Sequence, residues 1–94
     1  MNVLTVDKVF TKHDDAAHGW LEVTNDDLID LNIQSKISNF SYIDSNKKLI
    51  YLEEDCDMTL FMKSYKKKYK KGLTYVVENN FEIHPIRDLP SYIN

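Results

Sequence analysis

Residues 37–54 constrain the fold more than any other part of the chain. Two β-rich runs, residues 37–43 and 48–54, flank Asp44-Ser45-Asn46-Lys47, a string rich in turn-forming side chains. A symmetric turn sets Ile43 opposite Lys48. Because side chains alternate along a strand, Ile37, Ile43, Ile50 and Leu52 then share one face. Phe40, Tyr42, Leu49 and Tyr51 share the other. Both faces are apolar, so the hairpin needs cover on both sides, from helices, other chain segments or a partner.

The cover available is one strong helix and one weak one. Asp55 or Asp57 is the expected cap of a helix over about 56–70, stopped by Gly72. Met58, Phe61, Met62, Tyr65 and Tyr69 fall on one stripe at helical spacing. A shorter helix over about 25–32 starts at Thr24 or Asn25, with Asp26 and Asp27 in its first turn and Leu28, Ile29 and Leu31 after them. Residues 3–10 and 20–23 read as strands, and 11–19 as a polar loop. Residues 75–84 alternate like a half-buried strand ended by His84-Pro85, and the tail from Ile86 is irregular. The prediction is an α+β fold: a small antiparallel or mixed sheet with a central hairpin (about 37–54), one long helix (about 56–70) and one short helix (about 25–32). With 94 residues, 43% of them hydrophobic, there is material for one core, so residues 1–94 are expected to form a single domain.

Several classes are disfavoured. The N-terminal MNVLTVDKVF lacks the apolar run and cleavage site of a secretory signal. No stretch has the length of a bilayer span, so no membrane partner is expected. One cysteine makes no internal disulfide, and cytoplasm is the expected compartment. A net charge of −3 argues against binding nucleic acid by overall charge.

Among strings that carry chemistry, Glu53-Glu54-Asp55-Cys56-Asp57 is the most unusual. A reactive thiolate needs neighbouring positive charge, and the carboxylates around Cys56 oppose that. The plainer reading is a strand end, an acidic helix start and an inert, small, buried thiol. His13, Asp14, Asp15 and His18 with the acidic string offer metal-ligand types without the tight repeated spacing of a zinc site. No metal or other cofactor is therefore expected. Gly19 and Gly72 stand alone, so there is no phosphate-binding loop. Lys63, Lys66, Lys67, Lys70 and Lys71 suit phosphate contacts, with Phe40, Tyr42 or Tyr51 as stacking platforms. Base readout prefers arginine, and Arg87 is the only one.

His18-Gly19-Trp20-Leu21-Glu22-Val23, Phe40-Ser41-Tyr42 and Tyr51-Leu52-Glu53-Glu54-Asp55-Cys56-Asp57 with Phe61 resemble strings in a group of small uncharacterised bacteriophage- and plasmid-borne proteins. The likeness runs over roughly residues 17–61 and 86–92. It implies an accessory protein that docks on, and inhibits or modulates, a host protein or complex. The expected class is thus a non-enzymatic binding protein, with Phe40, Tyr42, Tyr51, Glu53, Glu54, Asp55 and Asp57 as candidate partner-binding residues. The face with Tyr42 and Tyr51 is expected to be the more exposed, and to serve a host partner or a homodimer. A nucleic-acid module on the lysine helix is the alternative. A metal-dependent enzyme at His13, His18 and the acidic string is the second.

Overall fold

The computed structural model describes residues 8–79 and 85–92. Its elements are β1 (Val9–Asp14), β2 (Gly19–Thr24), α1 (Asn25–Asp30), β3 (Tyr42–Asp44), β4 (Leu49–Glu53), α2 (Asp57–Tyr69) and β5 (Thr74–Asn79), with 3-10 turns at Gln34–Lys36 and Pro85–Asp88. The fold is α+β. Five strands form one mixed sheet in the order β3-β4-β2-β1-β5, antiparallel throughout except where β5 runs parallel to β1.

Alternation divides the sheet into two faces. Phe10, Leu21, Val23, Ile50 and Leu52 point to the side where α1 and α2 supply Leu28, Met58, Phe61 and Tyr65, and this side is the main core. Trp20 and Tyr51 point to the other side, where Ile86 and Leu89 of the C-terminal segment cover them. That segment, residues 85–92, acts as a strap. Ile43 N donates to Pro90 O and Tyr92 N to Ser41 O, so the strap lies along the β3 edge. Tyr92 then enters the main core, and its hydroxyl donates to Gln34 O.

The local signals explain the helices. Thr24 Oγ1 accepts from Asp27 N, while the Asp27 carboxylate accepts from Thr24 N, a reciprocal cap that starts α1. The α2 stripe buries Met58, Phe61 and Tyr65 as its spacing predicts, with Met62 and Tyr69 half-buried. This helix ends at Tyr69, close to its expected end, but the residue that stops it is Lys70 rather than Gly72: Lys70 takes φ 64° and its N–H closes onto Lys66 O.

Four expectations change. Residues 11–14 are strand, not loop; their polar side chains are satisfied by ion pairs that composition does not reveal, such as Lys12 with Asp14 and His13 with Glu22. Residues 37–41 are not strand. The buried Asp57 carboxylate accepts from Ser38 N, Ser38 Oγ and Ser41 Oγ, which draws this stretch toward the start of α2 and leaves only Tyr42–Asp44 in the sheet. The hairpin pairs Ile43 with Ile50 rather than with Lys48. Asp44 Oδ1 accepts from Asn46 N and Lys47 N, and Lys48 joins the turn at φ 57°. That slip is two residues, so every side chain keeps its expected face. Finally, β5 is exposed along its length rather than half-buried. The rest of that expected strand, residues 80–84, and residues 3–7 of the first lie outside the described residues.

Candidate functional site

The strap leaves a cleft of ≈ 200 Å³ beside it. Its lining comes from four parts of the chain: His18, Gly19 and Trp20 at the start of β2; Phe40 and Tyr42 at β3; Glu53, Glu54 and Asp55 at and just after the end of β4; and Arg87 from the strap. Each part has a local reason for its place. Trp20 is paired across the sheet with Glu53, and Glu54 N donates to Gly19 O, which fixes the two floor strands. The Glu53 carboxylate accepts from Asp55 N at 3.0 Å and Cys56 N at 2.8 Å, folding the acidic string back as a tight turn. Neither Asp55 nor Asp57 caps α2 as expected: the N-cap position falls on Cys56, whose side chain makes no cap hydrogen bond. Cys56 is exposed rather than buried.

Gly19 lies in close approach to three charged side-chain ends, which would have to shift to admit a side chain there. A Cβ there would run into the Asp14 carboxylate, and would lie 3.0 Å from both Glu54 Oε2 and Lys12 Nζ. Lys12 uses that space to bridge Asp14 at 2.7 Å and Glu54 at 3.2 Å. Partial burial pulls the Lys12 ammonium down, but the two carboxylates outweigh it and its pKa stands raised. The aromatic wall is a chain of edge contacts: His18 to Trp20 at 6.1 Å and Trp20 to Tyr42 at 6.2 Å. Arg87 lies with Cζ 5.6 Å from the Trp20 ring and grips Asp15 at 2.9 and 3.1 Å. Hydrogen bonding to Asp15 raises the already high Arg87 pKa. Asp15 in turn accepts from Ala17 N and His18 N, so one buried carboxylate shapes the loop before β2 and anchors the strap.

Of the residues singled out from sequence, Phe40, Tyr42, Glu53, Glu54 and Asp55 come together on this cleft. Phe40 is 71% exposed at its mouth. Tyr51 and Asp57 do not join them. Tyr51 is 7% exposed under the strap, and Asp57 is buried against Ser38 and Ser41. Burial raises the Tyr51 hydroxyl's pKa, with help from Glu22 and Asp44. The expected order of the two faces holds only in part: Ile50 and Leu52 are sealed and Tyr42 and Leu49 half-buried, but Tyr51 is buried under the strap and Ile43 on the other face is half-buried. Nothing in the sequence marked His18 and Trp20 as cleft lining. Arg87 had no local signal, because its partner Asp15 is 72 residues away.

Lys63, Lys66, Lys67, Lys70 and Lys71 are exposed on and just after α2, and none is ion-paired among the described residues. They lie on the helical side of the sheet, whereas Tyr42 and Tyr51 face the strap, so the lysines and the aromatic platforms are separated. His13 sits in the sheet with Nε2 2.9 Å from Glu22 and its ring against Tyr51, while the His18 ring lies against Trp20. Among the described residues no three His, Cys, Asp or Glu side chains come together in a way that could hold a metal ion. No helix of the described residues is long and apolar enough to cross a membrane. No family model, curated protein or solved structure matches the chain.

Proposed function

We propose that this chain is a protein-binding module whose cleft beside the strap takes a segment of a partner protein carrying a basic residue next to a large apolar one. The observation that carries this reading is Phe40, a phenylalanine left in solvent at the mouth of a cleft whose lip is Glu54 and Asp55. An exposed aromatic beside carboxylates offers apolar contact and charge to a lysine or arginine at once. The resemblance to phage- and plasmid-borne accessory proteins supports a host protein as the partner and inhibition or modulation as the outcome. A randomised peptide library selected on the immobilised protein is expected to enrich Lys or Arg beside a large apolar residue. Phe40→Ala and Asp55→Asn, both at exposed positions, should each reduce that enrichment without changing the melting temperature. Unchanged enrichment in both variants would sink the reading.

The exposed lysines of α2 support a second reading, binding of nucleic acid through phosphates. Anisotropy of a labelled single-stranded oligonucleotide separates the two. Phosphate binding falls steeply with salt and is lost when Lys63 and Lys67 become glutamate, whereas cleft binding is not.

A further inference from the structure

The two edges of the sheet are finished differently. At the β3 edge, Pro90, Ser91 and Tyr92 of the strap engage the backbone of Ser41, Tyr42 and Ile43. At the opposite edge β5 pairs only with β1, and among the described residues no strand lies outside it. Proteins usually guard a free edge with lysine, proline or a bulge. Thr74-Tyr75-Val76-Val77-Glu78-Asn79 has neither lysine nor proline, and it pairs with β1 residue for residue without a bulge. Its apolar side chains stand out on both faces of the sheet: Tyr75 (38% exposed) and Val77 (47%) on the helical side, Val76 (54%) with Val9 beside it on the other.

We infer that β5 is a self-association edge, pairing antiparallel with β5 of a second copy about a two-fold axis through Val76. A two-fold axis normal to a sheet keeps each face on its own side, so only residues of the same face can meet. Centring the axis on Val76 sets Val76 against Val76 of the second copy, and Tyr75 against Val77 of the second copy, twice. Thr74 then lies opposite Glu78 of the second copy. Every apolar side chain of the strand meets an apolar one, and no like charges face each other. The neighbouring register, centred on Val77, is worse. It puts Val76 against Glu78 of the second copy and Tyr75 against Asn79 of the second copy. It also brings the two Glu78 carboxylates within about 7 Å along the strands, against about 14 Å for the Val76 register. The larger spacing exceeds the screening length of about 8–10 Å, the smaller does not. A second copy therefore fits this strand in a definite register. The strand lies across the sheet from the cleft, so the inference is independent of the proposed function.

Light scattering of the full chain from low to high micromolar concentration should show the mass rising from 11.1 kDa toward twice that value. Val76→Lys, at an exposed position, should abolish the rise while leaving the circular dichroism spectrum and melting temperature unchanged. In a Cys56→Ser background, Val76→Cys should form an intermolecular disulfide on mild oxidation. Facing residues of an antiparallel pair have Cα atoms about 4.5–5.5 Å apart, within the range a disulfide spans. Val77→Cys should not, because its two copies would be about 8 Å apart. A monomeric mass at every concentration, a dimer that Val76→Lys leaves intact, or a crosslink no faster at 76 than at 77 would each overturn the inference.

Discussion

The two faces of the sheet are covered by different physics. On one side, α2 lays Met58, Phe61 and Tyr65 across Leu21, Ile50 and Leu52, and the seal is continuous apolar contact. Phe10 meets Phe61 edge-on at 5.4 Å in the middle of it. On the other side the strap has only Ile86 and Leu89 to offer, over Trp20 and Tyr51. It is held largely by polar pins: Arg87 on Asp15, backbone bonds along β3, and the Tyr92 hydroxyl on Gln34. An amphipathic helix covers a whole face because its stripe repeats every turn. A short irregular segment covers only where its few apolar side chains fall, so a cleft remains beside it.

If this contrast is right, truncation should cost most under the helix. Phe61→Ala is expected to lower unfolding stability by about 3–5 kcal/mol in a urea titration, as loss of a fully packed aromatic does. Ile86→Ala should cost about 2 kcal/mol, the low end for such a truncation, because the strap can settle into the space. Equal losses from the two would break the comparison. Arg87→Ala sharpens it with a different readout. Trp20, the only tryptophan, is 2% exposed beneath the guanidinium. Its emission should shift to the red, and acrylamide should quench it more, in a variant that is still folded. An unchanged spectrum would mean that Ile86 and Leu89 shield Trp20 without the pin.

A smaller effect tests how α1 is held to the end of α2. Lys68 Nζ lies 2.6 Å from Asp30 Oδ1, and the Tyr69 hydroxyl donates to the same carboxylate. Lys68 first, then Tyr69, hold the Asp30 pKa below its ordinary value. A carboxyl depressed in the folded state adds stability above its unfolded pKa, and that stability is lost as pH falls through the folded value. Acid titration of Lys68→Ala should therefore show a shallower stability loss below about pH 4 than the parent chain. Asp30 is largely exposed, so the difference should be modest. Smallest of all is Lys67→Ala, expected to change stability by no more than about 0.5 kcal/mol. A cost near that of Phe61→Ala would mean that the helix turns the other face to the core.

Much of this was legible because periodicity is local. The α2 stripe and the division of the hairpin into two faces follow from spacing alone, and Thr24 or Asn25 was legible as the start of α1. The face assignment held even though the register moved, since a slip of two residues preserves alternation. The acidic string and Phe40 stood out in the sequence, and the fold brings most of them to one cleft.

What only the tertiary structure decided was which groups satisfy one another across long separations. Lys12, His13 and Asp14 look like loop residues until Glu54 and Glu22 are seen beside them. Ser38 and Ser41 look like strand residues until Asp57 collects their donors. Arg87 looks like tail until it meets Asp15. β5 reads as a half-buried strand, and only its place at the end of the strand order shows that both its faces meet solvent. The reason is common to all four. Alternation is set by bond geometry within a few residues, whereas the pairing of buried polar groups and the order of strands depend on which distant segments arrive together.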